Sequence, residues 1–273
     1  MSYSDALAEK RKNGILVAAH RGSAAGNVPC NTPAAFNAAL MQNADIIEFD
    51  VSISRDGQLF VFHPGMEPAH LGTKLYIKAR SASSVSALRY RNFDNVKTSY
   101  GITPLDEVLR QLKGKCFMNI DKFWTAPEQI TAAVRRCGVE EQVIIKTSPK
   151  EKYFADVEKY APDLMYMPII SKNDTVCDDL LKRKINLIGA EVLFEKDDDH
   201  VCTKEFTGAM HEKGLFVWGN AIIYNESAVI SAHHTDDRAV SGDLPGGWGF
   251  FRERGFDIVQ TDWAGLAKDY FSK

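Results

Sequence analysis

Short apolar runs alternate with helical patterns along almost the whole chain of 273 residues. This alternation favours parallel strands joined by crossover helices, because each helix covers part of the sheet that the strands form. About eight strand candidates occur, at 15–19, 46–52, 116–121, 142–147, 164–170, 187–192, 215–218 and 257–261. Helix candidates lie between and after them, near 33–42, 105–112, 127–137, 150–160, 174–183, 203–213, 247–254 and 263–271.

Eight such units indicate a (β/α)8 barrel rather than a doubly wound sheet. A doubly wound sheet ordinarily carries a glycine-rich phosphate turn after its first strand, and neither G-x-G-x-x-G nor G-K-[ST] occurs. Residues 64–102 and 221–247 fall outside the repeat, and both follow a strand candidate, so we expect both on the carboxyl face of the barrel. The sequence therefore predicts one α/β domain over 1–273. It is a TIM barrel with a small insertion at about 64–102, after the second strand unit, and a long loop after strand 7.

Composition and charge restrict the class of protein and its location. A formal net charge of -3 provides no broad basic field, so we expect no nucleic-acid partner. The cysteines number five, are widely spaced and form no C-x-x-C, which favours reduced thiols in a cytoplasmic protein. The first residues contain no apolar core of a signal peptide, and no segment approaches the roughly 20 apolar residues of a membrane span. These features predict no stable membrane insertion and leave the oligomeric state open.

Two histidines flank a pair of carboxylates in the first quarter of the chain. His20 ends one apolar run, Glu48 and Asp50 alternate along the second strand candidate, and His63 ends a third run. Side chains alternate across a strand, so the two carboxylates share one face and repel each other there unless a cation compensates them. Asp121, at the end of the third strand candidate, offers a third oxygen ligand. This set predicts a site for one divalent cation, Ca²⁺ or Mg²⁺.

The residues around the first histidine indicate phosphate chemistry. Arg21 suits recognition of a pair of phosphate oxygens, and Gly22 permits a sharp backbone turn after it. Imidazoles on opposite sides of a phosphate act as base and acid in turn. Together with a divalent cation, this pattern predicts phosphodiester cleavage without a covalent Ser or Cys nucleophile.

Lys146 and Trp218 each have a functional and a structural interpretation. Lys146, at the tip of the fourth strand candidate, either supplies positive charge to a phosphate or is a solvated lysine. Trp218 forms an apolar wall over the substrate or packs in the core. We expect Lys122 to point to the strand face opposite Asp121. The HHTDD segment at 233–237 is typical of a solvated turn rather than of a second metal site.

These residues resemble the glycerophosphodiester phosphodiesterase family, and the resemblance extends over nearly the whole chain. The matching motifs are His-Arg-Gly at 20–22, Asn-Thr at 31–32, Glu-x-Asp at 48–50, the Asp-Gly turn at 56–57, His63, ITPLDEVL at 102–109, the strand at 119–121, VWGN at 217–220 and GFDIVQTD at 255–262. Singly, only the opening cluster is specific, but together these motifs identify the family.

The resemblance implies a (β/α)8 barrel and a reaction. In this family the bond between the phosphate and the head-group alcohol is cleaved, which yields glycerol 3-phosphate, and attack by the substrate's own glycerol hydroxyl through a cyclic phosphate is one route. The implied site residues are an acid/base pair (His20, His63), metal ligands (Glu48, Asp50, Asp121) and substrate contacts (Arg21, Asn31, with Lys146 and Trp218 as further candidates).

Several positions depart from the family pattern. Cys30 replaces the usual glutamate before Asn-Thr, and Asp121 replaces a glutamate as third ligand. Pro64 stands where an aspartate commonly follows the second histidine, and Phe123 stands in the place of a lysine. Two alternatives stay open: a lysophospholipase D or sphingomyelinase-like activity on lipids, for which Trp124, Leu75, Tyr76 and Ile77 offer an apolar groove, and a barrel that binds phosphodiesters without turnover, which Cys30, Pro64 and the missing lysine motivate.

Overall fold

Eight parallel strands close into a barrel in a computed structural model that describes residues 3–172, 175–223, 225 and 227–273. Each strand pairs with the next along the chain, and the last pairs with the first, where Ala19 lies beside Thr261. The predicted (β/α)8 barrel is therefore confirmed. The barrel strands are β1 (Leu16–Ala19), β2 (Ile46–Ile53), β3 (Phe117–Asp121), β4 (Val143–Thr147), β5 (Met165–Ile170), β6 (Gly189–Val192), β7 (Phe216–Asn220) and β8 (Ile258–Thr261).

Helices surround the barrel and follow the predicted order. The helix after β1 begins where expected, because Thr32 caps it through a 3.3 Å hydrogen bond from the Ala35 amide and Pro33 takes its first position. The α-helices are Tyr3–Arg11, Pro33–Met41, Glu67–Leu71, Ala82–Ser86, Leu105–Leu112, Pro127–Cys137, Glu151–Tyr160, Val176–Leu180, Lys204–Glu212, Asp236–Val240, Phe250–Arg254 and Ala264–Phe271. Short 3-10 helices span Ile77–Ala79, Phe123–Thr125, Glu140–Gln142 and His200–Cys202, and a π-helix spans Pro245–Gly249.

The barrel interior has an apolar layer and a polar layer. Strand alternation sends Ile47, Phe49 and Val51 of β2 outward into the core under the helices, and it sends Glu48 and Asp50 inward. Leu7, from the helix that precedes β1, packs against the amino-end layer and closes that end of the barrel. The apolar interior consists of Leu7, Leu16, Ala18, Ile46, Phe117, Ile144, Met165, Met167, Ile188, Trp218 and Ile258. Polar side chains are left at the carboxyl end, where barrel active sites lie.

The segment between β2 and β3 forms a small structure with its own apolar cluster. A strand at Leu59–Val61 pairs antiparallel with β2, and Thr103–Pro104 adds beyond it. A hairpin joins Arg89–Arg91 to Lys97–Gly101. The cluster contains Phe60, Phe62, Leu71, Ile77, Val85, Tyr90 and Ile102. Because Phe62 is anchored in this cluster, the adjacent His63 is held at the mouth of the barrel.

The HHTDD segment is not a solvated turn, so that prediction is wrong. His234 and Asp236 are buried. Asp236 accepts hydrogen bonds from the Thr261 hydroxyl at 2.6 Å and the Trp248 indole at 2.7 Å. Asp236 is buried because its hydrogen bonds join the loop after β7 to the end of β8, whereas His233 and Asp237 of the same segment are exposed. Among the described residues, no helix is long and apolar enough to cross a membrane.

Candidate active site

Three carboxylates converge at the carboxyl ends of two neighbouring strands. Glu48 and Asp50 come from β2 and Asp121 from β3, with Asp50 directly beside Asp121 in the parallel register. Ligand oxygens of the three lie within 4.8 Å of one another. Burial and the adjacent Asp50 charge raise the pKa of Glu48 to about 7. Because these three carboxylates supply only oxygen ligands and repel one another, they fit a hard divalent cation, as predicted.

Two residues in left-handed backbone conformation hold the carboxylates from one side. Arg21 (φ 55) donates its backbone N–H to Glu48 Oε2 at 2.9 Å. Its Nε lies 2.9 Å from Asp50 Oδ2, as an ion pair that is not aligned for a hydrogen bond. Asn31 (φ 57) donates to the same Asp50 Oδ2 at 3.0 Å and accepts from the Asp50 amide at 3.3 Å. Arg21 and Asn31 therefore lie beside the carboxylates and orient Asp50, and their roles as substrate contacts stay predictions.

The turn after Arg21 requires glycine. Gly22 has φ +77, and a Cβ at this position would lie 2.7 Å from the backbone carbonyl carbon of Ala35. The chain therefore passes directly against the helix Pro33–Met41 before it reaches Asn31. This close approach explains the Gly of the His-Arg-Gly motif.

His20 is held by an acidic partner that the sequence did not single out. Its Nδ1 lies 2.8 Å from Asp262 Oδ1, just beyond the end of β8. Burial lowers the pKa of His20, but the Asp262 hydrogen bond and the Glu48 charge outweigh it, so the pKa is raised. Asp262 is fixed in turn, because its backbone N–H donates to Asp236 at 2.8 Å. The buried loop after β7 thus orients the first histidine.

His63 lies on the other side of the acid cluster. Its Nε2 is 3.8 Å from Asp50 Oδ1, and its buried Nδ1 has no hydrogen-bond partner within the described part of the chain. Burial lowers the pKa of His63, and the attraction of Asp50 does not restore it. The two imidazoles therefore flank the carboxylates with pKa values shifted in opposite directions.

Lys122 enters the site, so the prediction that it points away from Asp121 is wrong. Strict alternation applies only while the backbone stays extended, and Lys122 has a left-handed φ of 61 immediately after β3. Its Nζ lies 2.6 Å from Asp121 Oδ2 and 3.9 Å from Asp50 Oδ1. Burial lowers the pKa of Lys122, yet Asp121 and Asp50 outweigh it and raise the pKa. Burial likewise raises the pKa of Asp121, but Lys122 reverses this and lowers it.

Lys146 and Trp218 lie inside the barrel, beneath its mouth. The Lys146 ammonium is 2.7 Å from Glu191 Oε2 and 3.1 Å from the centre of the Trp218 ring. Asn220 donates to the other oxygen of Glu191 at 2.8 Å. Lys146 and Trp218 are fully buried, and their roles as substrate contacts stay predictions. The signal for Glu191 in the sequence is one acidic residue within an otherwise apolar strand.

The family departures have clear structural positions. Cys30 precedes Asn31, and burial raises its pKa to about 11, so it contributes no charge to the site. Phe123 is completely buried in the apolar core. The preceding Lys122 is the basic residue that this loop places beside the carboxylates.

The chain matches the family model described as the glycerophosphoryl diester phosphodiesterase family over residues 20–221. A glycerophosphodiester phosphodiesterase of Caldanaerobacter subterraneus subsp. tengcongensis is 32% identical over 157 residues, which are 55% of this chain and 64% of that protein. A putative glycerophosphodiester phosphodiesterase of Bacillus subtilis, YhdW, is 51% identical over 49 residues, 18% of this chain and 20% of that protein. The chain thus aligns with less than two thirds of the length of either relative.

Solved structures share the fold. A glycerophosphoryl diester phosphodiesterase from Parabacteroides distasonis superposes with a TM-score of 0.75 at 17% identity, over 97% of this chain and 92% of that one. A phosphodiesterase from Oleispira antarctica, solved in complex with the product sn-glycerol-3-phosphate, superposes with a TM-score of 0.67 at 17% identity, over 93% and 95% of the two chains. At these identities the likeness shows a common barrel architecture.

Proposed function

Because the chain belongs to the glycerophosphoryl diester phosphodiesterase family, we propose that it hydrolyses soluble glycerophosphodiesters to glycerol 3-phosphate and an alcohol. One observation carries the proposal. Three carboxylates with ligand oxygens within 4.8 Å of one another lie between two imidazoles, with the Arg21 guanidinium beside them. This arrangement provides a cation site, a phosphate contact and two proton-transfer groups in one pocket.

Glu48, Asp50 and Asp121 would hold one divalent cation, Ca²⁺ or Mg²⁺. When bound, the cation supplies Lewis acidity, which polarises a phosphate oxygen and favours ionisation of a hydroxyl. Arg21 and Asn31 keep the shared Asp50 oriented through contacts of 2.9 and 3.0 Å. Their positive φ angles place the polar groups of both on the carboxylates rather than in solvent.

The two histidines act as the proton-transfer pair. One imidazole takes the proton of the attacking hydroxyl, and the other returns a proton to the leaving alcohol oxygen. Asp262 holds Nδ1 of His20 and leaves Nε2 for the transfer. Attack by the glycerol hydroxyl of the substrate releases the alcohol and forms a cyclic phosphate, which water then opens to glycerol 3-phosphate, so no protein nucleophile is needed.

The test is release of glycerol 3-phosphate from glycerophosphocholine, with Ca²⁺ or Mg²⁺ and with EDTA. We expect turnover that depends on the cation and is lost in His20→Ala and in His63→Ala. His211→Ala is a matched control, because His211 pairs with Asp257 before β8, at the other end of the barrel. Retained turnover in the two site variants would refute the two-histidine mechanism. Absence of turnover across a phosphodiester panel would favour a binding protein instead.

A groove beside His63 favours a second candidate, hydrolysis of lysophospholipids. The groove has a volume of about 570 Å³. Its lining includes Ile53, Pro64, Tyr76, Lys78 and Thr125. Pro64 directly follows His63, so a single acyl chain lying in this groove would start at the reaction centre. Faster turnover of lysophosphatidylcholine than of glycerophosphocholine would support this activity, and the reverse order would exclude it as the main one.

We also propose a reducing, cytoplasmic location. All five cysteines are free, and four of them are buried. Burial raises the pKa of Cys116 and of Cys177 to about 12, so both thiols stay neutral and packed. Localisation of a fluorescent fusion of the full chain tests this point.

A further inference from the structure

Glu191 faces the acid cluster from the opposite wall of the barrel mouth. In the closed order of strands, β6 lies across from β2, and β7 lies across from β3. Glu191 comes from β6 and its partner Asn220 from β7. The side chain of Glu191 is 12% exposed, whereas that of Lys146 is 2% exposed. Glu191 is therefore the most exposed member of a polar group that otherwise consists of the buried Lys146 and Asn220.

Two buried neighbours, Asn220 and Lys146, fix the orientation of the Glu191 carboxylate. Oε1 accepts a 2.8 Å hydrogen bond from Asn220, and Oε2 lies 2.7 Å from the Lys146 ammonium. Lys146 is held in turn over the face of Trp218. Each carboxylate oxygen accepts more than one hydrogen bond, so each keeps an acceptor position. The carboxylate is thus held in a fixed orientation and keeps positions that accept a further hydrogen bond.

A second observation also indicates a missing donor on this wall. The buried Oδ1 of Asn220 has no hydrogen-bond partner within the described part of the chain. Buried acceptors of this kind are normally satisfied by water or by a ligand. Unsatisfied acceptors on these two neighbouring strands favour a ligand group that donates hydrogen bonds over a phosphate, whose oxygens are themselves acceptors.

We propose that Glu191 binds the terminal hydroxyl of the glycerol in the substrate, with Lys146 and Asn220 as positioning residues. This inference rests on the proposed function, because it assumes that the phosphate is held at the acid cluster on β2 and β3. The central hydroxyl of glycerol is bound close to the phosphorus atom and stays on that side. The terminal hydroxyl is one carbon farther away and extends toward β6.

Ion pairing alone does not account for this arrangement. A buried ion pair gives little net stability over an apolar pair of similar size. A purely structural pair also gains nothing from an open carboxylate at the mouth of the pocket. Recognition of a hydroxyl needs both the fixed orientation and the opening.

The experiment compares two diesters in the whole protein. One is glycerophosphocholine, and the other is the same phosphocholine diester of 1,2-propanediol, which lacks only the terminal hydroxyl. We expect wild type to prefer the glycerol diester by about ten- to a hundredfold in kcat/KM. Glu191→Gln should reduce this preference to a few-fold. The double variant Glu191→Leu with Lys146→Met should abolish it, and it avoids leaving a buried lysine without its partner.

Binding provides a readout that does not depend on turnover. Glycerol 3-phosphate and 1,2-propanediol phosphate are titrated into wild type and the double variant. We expect wild type alone to prefer glycerol 3-phosphate, by at least about tenfold.

Three results would overturn the inference. The first is equal kcat/KM of wild type on the two diesters. The second is an equal loss on both diesters in the variants, which would make Glu191 structural. The third is a loss on glycerophosphoethanolamine that exceeds the loss on glycerophosphocholine, which would place Glu191 at the head-group ammonium. Failure of the proposed function is distinguishable from these results, because wild type would then release no glycerol 3-phosphate from any diester. The binding preference for glycerol 3-phosphate over 1,2-propanediol phosphate would still test the role of Glu191 in that case.

Discussion

Replacing Lys122 with glutamine should tighten the binding of a divalent cation to the acid cluster. Lys122 Nζ lies 2.6 Å from Asp121 and 3.9 Å from Asp50, so an incoming cation shares two of its three ligands with an ammonium group. Removing that ammonium removes both the competition and the repulsion. The same change should lower the melting temperature of the cation-free protein, because Asp121 then loses its nearest compensating charge.

The distances set the size of the effect. A pair of unit charges 2.6 Å apart is worth about 6 kcal/mol at an effective dielectric constant of about 20, and about 1.6 kcal/mol in bulk water. The Lys122 and Asp121 side chains are 24% and 20% exposed, so solvent screening moves the value toward the lower limit. A net effect of about 1–2 kcal/mol corresponds to a dissociation constant that is about five- to thirtyfold lower.

Isothermal titration of EDTA-treated protein with Ca²⁺ and with Mg²⁺ measures this constant directly. Lys122→Arg is the matched control, because it keeps the charge and should bind the cation within about threefold of wild type. Thermal melts with and without the cation report the accompanying change in stability. Cation binding by Lys122→Gln that is unchanged or weaker would show that Lys122 does not compete, and the reasoning from the ion pair would be refuted.

Three further perturbations test the supporting structure. Asp262→Asn should lower the pKa of His20, because the Asp262 carboxylate contributes most to raising it. The limb of the pH–rate profile that reports His20 should then move to lower pH, and a limb that does not move would contradict the pairing of His20 with Asp262. Gly22→Ala should lower the unfolding free energy in urea by about 2–4 kcal/mol, since its φ is +77 and a Cβ would lie 2.7 Å from the Ala35 backbone. Burial raises the pKa of Asp236 from 3.8 to about 6. Because the folded protein holds this proton more tightly than the unfolded chain does, wild type should lose stability relative to Asp236→Asn as the pH rises between these two values. A difference in melting temperature between the two proteins that stays constant over this pH range would contradict the raised pKa.

The barrel and the acid cluster follow from periodic features that are visible in a single chain. Parallel strands joined by helices are buried on both faces, which makes their apolar runs easy to recognise. Glu48 and Asp50 are two residues apart on an extended strand, so their common face is a matter of local geometry. The predicted meeting with Asp121 needed one more step, the adjacency of successive strands in a closed barrel.

The errors and omissions have local causes. Lys122 was assigned to the wrong side because one left-handed residue ended the strand, and a positive φ at a lysine has no clear signal in sequence. The buried state of Asp236 depends on donors from Thr261 and Trp248, which approach only in the folded protein. Asp262 and Glu191 gain their roles from partners that are 242 and 29 residues away along the chain.

The sequence by itself determined the order of the barrel units, the common face of the carboxylates and the pair of histidines at strand ends. These depend on the repeat of an extended or helical backbone, which acts over a few residues. Only the tertiary structure decided which charges meet: Lys122 with Asp121, Asp262 with His20, and Lys146 with Glu191. Electrostatic pairing depends on distances between side chains from separate segments, and those distances exist only once the barrel has closed.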